Sequence, residues 1–176
     1  MPPGIDKRRL NETQGMKILW ILALMLVVLA ACLVGAGQLG LLSGTVPQNL
    51  GVTDGRLRPP SNTPNSVSSQ TLLYSEHAQK DYANIAPLTY TGDGHAAMER
   101  LADLLQKSER TVIVRRQADY IYAQCSTALL KFTDDVEFWL DKPNSVIQVR
   151  SASRLGRKDF GVNRARVEAI RAQFSS

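Results

Sequence analysis

Residues 111–153 read TVIVRRQADYIYAQCSTALLKFTDDVEFWLDKPNSVIQVRSAS, and the reading of this stretch decides the fold. β-Branched and aromatic residues crowd into four runs, 111–117, 120–127, 129–141 and 146–153. In the third run Val136, Phe138 and Leu140 alternate with Glu137, Trp139 and Asp141, and in the fourth Ile147 and Val149 alternate with Gln148 and Arg150. Successive side chains of a strand point to opposite faces, so each run has one apolar face to bury. Lys142-Pro143-Asn144-Ser145 has turn chemistry and joins the last two runs as a hairpin, which sets Glu137 opposite Arg150 or one place away. The short connections predict a meander.

On either side of the strands lies a helix. Met98, Leu101, Ala102 and Leu105 fall at i, i+3, i+4 and i+7, with Glu99, Arg100, Asp103 and Lys107 off that stripe and Asp93 placed to cap the first turn. After the strands, Asn163 is the expected N-cap of a closing helix whose Val167, Ile170 and Phe174 share a face. The expected fold is therefore α+β: a four-stranded, mainly antiparallel sheet with two helices on one face, preceded by one transmembrane or signal-anchor helix.

That anchor is read from residues 18–37, ILWILALMLVVLAACLVGAG, which carry no charge, amide or hydroxyl. At about 1.5 Å per residue they span about 30 Å, one hydrocarbon core. Lys7, Arg8, Arg9 and Lys17 precede the span and the first charge after it is Asp54, which predicts a cytoplasmic N-terminus. The expected division is a tail 1–17, an anchor 18–42, an extended linker 43–70 rich in Pro, Gly and Ser, and an extracytoplasmic domain 71–176. The expected location is a bacterial inner membrane, single-pass, with the C-terminal domain in the periplasm. Leu29-Ala30-Ala31-Cys32 also fits the end of a lipoprotein signal, and initiation at Met16 in place of Met1 would give that signal an ordinary length. Cys32 is thus a lipidation candidate, and transmembrane and lipid-anchored forms both stay open.

In composition the chain is a folding one, 176 residues with 44% hydrophobic and 21% charged. The segment from Arg150 onward carries seven Lys/Arg against two acids, an excess equal to the +5 net charge of the whole chain. A basic excess raises nucleic acid as a partner, but aromatics are only 6% and no basic run is interleaved with stacking side chains, so no nucleic-acid partner is expected. The expected partners are the membrane and an anionic lipid or glycan.

The run FTDDVEFWLD (132–141), followed by VRSASRLGRKDFGVNRARVEAIR (149–171), resembles the signature of domain-of-unknown-function family 1499, found in bacteria and plastid-bearing eukaryotes. GLLSGTVPQNLGVTDGRL (40–57) and PNSVSSQ (64–70) are similar to the N-terminal portion of the same family. The resemblance implies no activity. Many members carry cysteines where this chain has Pro60 and Ser66, and their joint absence is what loss of a disulfide would look like.

Candidate chemistry lies in two places. Asp134, Asp135 and Glu137 with Arg150 and Arg154 form either a constellation for proton transfer and anion binding or an ion-pair network that fixes the hairpin. Arg150, Ser151, Ser153, Arg154, Arg157, Asn163 and Arg164 surround a Gly156/Gly161 turn at a helix start, which suits an anion or simply shapes the loop. Ser151 and Ser153 have no nucleophile elbow, Cys125 reads as a core residue, and His77 and His95 lack metal-ligand spacing. No metal site and no cofactor is expected. The expected function is a non-enzymatic binding or scaffold module of the cell envelope with a basic anion-binding segment. The alternative is a small hydrolase or transferase acting on an anionic envelope substrate through the acid–arginine cluster.

Overall fold

A computed structural model describes residues 7–175 of the chain, with side chains from residue 14 onward, so the basic flank at Lys7, Arg8 and Arg9 lies outside the described side chains. The first element, α1 (Lys7–Gln38), contains one stretch long and apolar enough to cross a membrane, Gln14–Gln38, with mean hydropathy 2.9. Its side chains are exposed all round, from Leu19 and Trp20 to Val28 and Leu29, as expected of a helix solvated by lipid.

Seven further elements follow in the α+β domain before its last hairpin: β1 (Ser66–Ser68), a 3-10 turn (Thr71–Leu73), α2 (Lys80–Ala83), β2 (Leu88–Thr89), α3 (Gly94–Lys107), β3 (Thr111–Arg116) and β4 (Tyr120–Ser126). β5 (Thr133–Asp141), β6 (Val146–Ser153) and α4 (Val162–Phe174) complete it. The sheet is antiparallel with order β1-β6-β5-β4-β3, and β2 also pairs with β6. It therefore has six strands where four were expected, and α2 adds a helix to the expected count. The two extra strands are three and two residues long, embedded in turn-forming sequence, and exist only because the free edge of β6 offers them partners.

The hairpin reading holds in detail. Glu137 pairs with Arg150 and Phe138 with Val149. The turn closes through Ser145 N–H donating to the Lys142 carbonyl at 3.1 Å and Asn144 Nδ2 donating to Asp141 Oδ2 at 2.8 Å. At the opposite sheet edge β3 carries Arg115 and Arg116 beside a register shift after Ile113, features that discourage pairing with another chain.

One core lies between the sheet and α3 and α4, both on one face. Met98, Leu101 and Leu105 of α3 and Val167 and Ile170 of α4 cover Ile121, Val136, Phe138, Leu140, Ile147 and Val149. Asp93 caps α3 by accepting from Ala96 N–H at 2.8 Å. The start of α4 differs from the expected Asn163 cap. Gly161, at φ +84°, is the N-cap, and Asn163 lies inside the helix and fully buried. The capping carboxylate is Asp159, which accepts from Gly161 N–H and Asn163 N–H, each at 3.1 Å.

The other face of the sheet is covered too. Residues 50–59 run across it as a strap that leads on toward β1, with Leu50, Val52 and Leu57 packed on Tyr120, Tyr122 and Trp139. Gln70, just past β1, ties the strap down, its Oε1 accepting from Leu57 N–H at 2.8 Å and its Nε2 donating to the Gly55 carbonyl at 2.9 Å. The strap turns what alternation marks as a solvent face of β5 into a buried polar layer, in which Asp135 and Glu137 are 1% and 0% exposed.

Candidate functional site

β5 splits its acids by parity. Asp134 points to the helix face and Asp135 and Glu137 to the strap face, so the acids and arginines form separate pairs and not one constellation.

Under the strap, Glu137 Oε1 accepts from Gly51 N–H at 2.7 Å and from the Tyr120 hydroxyl at 2.8 Å. Arg150 lies across the hairpin with its NH1 3.7 Å from Glu137 Oε2, and its Nε donates to the Pro59 carbonyl at 3.3 Å. Burial pulls the Arg150 guanidinium below its usual pKa, Glu137 opposes that shift, and Arg58 adds to it. The Tyr120 phenol is pushed well above its usual range by burial and by the Glu137 carboxylate beside it.

Two residues along, Arg154 grips Asp135 with a fork. Its Nε donates to Oδ2 at 3.0 Å and its NH2 to Oδ1 at 2.8 Å. The Tyr122 hydroxyl donates to the same Oδ1 at 2.6 Å. These bonds to Asp135 hold the Arg154 pKa above its usual value, and burial next to Asp135 raises the Tyr122 phenol.

On the helix face, Arg166 of α4 donates to Asp134 Oδ2 at 2.5 Å and to Asn163 Oδ1 at 2.8 Å. Ser151 Oγ donates to the same Asn163 oxygen at 2.5 Å, and Asn163 Nδ2 donates to Ser153 Oγ at 2.9 Å and to Asp159 Oδ2 at 2.8 Å. Asp159 also accepts from the Tyr82 hydroxyl. Burial alone would raise the Asp159 carboxyl, but the bonds from Tyr82, Asn163 and Gly161 outweigh it and hold the pKa below the usual value. Arg164 NH2 donates to the carbonyls of Tyr82 and Asn84 at 2.6 and 2.8 Å, locking α2 to α4.

Ser151, Ser153 and Asn163 are thus brought together with Asp134, while Arg150 and Arg154 lie on the opposite face and Arg157 stands exposed without an ion pair among the described residues. Arg166, Tyr120, Tyr122 and Asp159 carry as much of these networks as the residues read from sequence. Arg166 sits three residues after Asn163, a helical neighbour spacing that could have exposed it.

Chemically, each acid is consumed by an arginine in a buried position, and Ser151 is 0% exposed. A groove of about 670 Å³ lies between the start of β3, the end of β4 and α4, lined in part by Thr111, Cys125, Thr127, Val162 and Arg166. Burial pushes the Cys125 thiol up, which suppresses the thiolate. The histidines are apart and separately engaged, His77 Nδ1 accepting from Gln79 N–H and His95 Nδ1 meeting the Ala118 carbonyl. Among the described residues no three His, Cys, Asp or Glu side chains gather where they could hold a metal ion.

Fold and site together define a small α+β domain with buried ion pairs on both sheet faces, joined to one apolar helix. The chain belongs to the family described as a protein of unknown function, DUF1499, whose model matches residues 56–174, from the middle of the strap to the end of α4. No curated protein and no solved structure matches the chain.

Proposed function

We propose that this protein is a membrane-tethered, non-enzymatic binding or scaffold module of the cell envelope, held in a bacterial inner membrane by α1 with its domain on the periplasmic side. The observation that carries this reading is the pairing of all three candidate acids: Asp134 with Arg166, Asp135 with Arg154 and Glu137 with Arg150, each largely hidden from solvent. A general acid or base has to reach a substrate proton, and a buried, paired carboxylate does not. The basic residues left outward, Arg157 and Lys158, supply a binding function for anionic partners.

A screen of the detergent-purified chain against esterase, phosphatase and glycosidase substrates tests the reading. No turnover is expected. Turnover abolished by Asp135→Asn in a protein that still folds would establish the hydrolase or transferase alternative instead. For topology, a reporter active only outside the cytoplasm, fused after Ser176, is expected to be active; an active cytoplasmic reporter would reverse the orientation. The apolar sequence that continues past Cys32 to Gly37 favours an uncleaved anchor, since a cleaved signal gives way to polar linker. Mass analysis is expected to find the intact N-terminus, and diacylated Cys32 would replace the transmembrane form with a lipoprotein.

A further inference from the structure

β4 ends, β5 begins, β6 ends and α4 begins at one end of the domain, which presents two loops, residues 127–132 and 154–161. The C-terminal end of α1 meets the same end. Gln38 Nε2 donates to the Leu129 carbonyl at 2.9 Å, and Arg154 NH1 donates to the Ser43 carbonyl at 3.4 Å. At Gly37 an added Cβ would lie 2.5 Å from the Leu130 carbonyl oxygen, so helix and loop touch through backbone. Since the apolar part of α1 runs to Gly37, Leu129 and Leu130 lie level with the last turn of the membrane span.

The side chains at this end suit that level. Phe160 is 92% exposed, and Leu129, Leu155, Val162 and Phe132 are exposed beside the same loops. Phe160 adopts φ +52°, a conformation unfavourable for a bulky residue, and belongs to neither hydrophobic cluster, so folding does not account for an aromatic there. Among them stand Lys131, Arg157 and Lys158, none in an ion pair among the described residues. The nearby acids are occupied: Asp159 is buried on Tyr82 and Asn163, and Glu109 pairs with Arg110.

We propose that the anchored end of the domain docks on the bilayer itself, with Phe160, Leu155 and Leu129 entering the interfacial layer and Lys131, Arg157 and Lys158 meeting anionic phospholipid headgroups. Aromatic and aliphatic tips flanked by basic residues bind such a surface by adding apolar burial to attraction for negative lipid. Docking stops at interfacial depth, because loop backbone in the hydrocarbon would leave unpaired polar groups. The inference rests on α1 lying in the membrane, and it deepens the binding role proposed above.

The test uses the full chain in vesicles of phosphatidylcholine with or without phosphatidylglycerol, with or without brominated acyl chains as tryptophan quenchers. In the unaltered chain, Trp20 within α1 reports the anchor and is expected to be quenched in every brominated vesicle. In a Trp20→Phe background only Trp139 remains, against the strap near Gly55 and the far hairpin, and its emission is expected to be unaffected. Adding Phe160→Trp is expected to bring new, blue-shifted emission that loses most of its intensity in brominated vesicles, more so when phosphatidylglycerol is present. Arg157→Glu with Lys158→Glu is expected to abolish that dependence on anionic lipid. Quenching of Trp20 with no quenching of the indole introduced at position 160 would overturn the docking surface while leaving the anchor intact. Blue-shifted but unquenched emission would place that indole against protein, in the domain itself or a second copy of the chain, which equally overturns it. Failure of Trp20 quenching would instead remove the transmembrane reading of α1 on which the proposal rests.

Discussion

Glu137 and Arg150 are register partners on β5 and β6, yet their nearest approach is 3.7 Å and Glu137 Oε2 receives no hydrogen bond. Both side chains are buried, at 0% and 4% exposure. The pair is held by what surrounds it, Tyr120 and Gly51 on one partner and Pro59 on the other. Removing either member strands the other's charge, so Arg150→Ala and Glu137→Ala are each expected to cost on the order of 3 kcal/mol, with the double variant costing less than their sum. Thermal unfolding of the detergent-solubilised chain followed by near-ultraviolet circular dichroism measures this. Unchanged midpoints would show that the pair does not support the fold.

Asp135 and Arg154 make the opposite geometry, a fork closed by Tyr122. A lysine keeps the charge but not the fork, so Arg154→Lys is expected to lose about 1–3 kcal/mol, less than Arg154→Ala. The same unfolding measurement decides it. A lysine variant as stable as the parent would mean that charge alone suffices.

Asp159 gives the domain a defined acid sensitivity. Its folded pKa lies below the ordinary 3.8, so its contribution is complete above that value and is lost as pH falls toward and through the folded pKa. The unfolding midpoint is expected to drop below about pH 4, and Asp159→Asn is expected to be less stable at neutral pH with a flatter acid limb. Parallel acid limbs for the two proteins would remove Asp159 as the source.

Gly37 sets the approach of α1 to Leu130. Gly37→Val places side-chain atoms where the loop backbone already stands, so the anchor is expected to separate from the domain. Hydrogen exchange of the chain in vesicles is expected to accelerate in residues 38–44 and 127–132 and to stay unchanged in β5. Acceleration throughout the sheet would mean that the contact stabilises the whole domain.

Much of this was legible in the sequence. The stripe from Met98 to Leu105, the Asp93 cap and the hairpin that brings Glu137 within one place of Arg150 all follow from period and turn chemistry, which are local properties. β1 and β2 were not legible, since Ser66–Ser68 and Leu88–Thr89 have no strand pattern of their own and are ordered only by the edge of β6. The candidate site was half legible. Its residue types were visible, but the alternation of Glu137, Trp139 and Asp141 reads as a wet face, and no local rule shows that a strap arrives to cover it. Asn163 was misread as a cap because the helix starts two residues earlier, at Gly161, where Asp159 accepts from the amides of Gly161 and of Asn163 itself.

The strap also orders the making of the protein. During synthesis the residues next to the anchor emerge first, but β1 cannot pair until β6, far along the chain, has been made. The hairpins β3–β4, β4–β5 and β5–β6 need only neighbouring sequence and are expected to assemble ahead of it. Until the strap closes, Asp135 and Glu137 stay hydrated and the half-built sheet tolerates them as surface charges. Their desolvation is deferred to a late closure, when Arg150 and Arg154 on the completed β6 are already in place to receive them. A nascent chain stalled before Arg150 therefore has an open sheet with a loose strap beside α1.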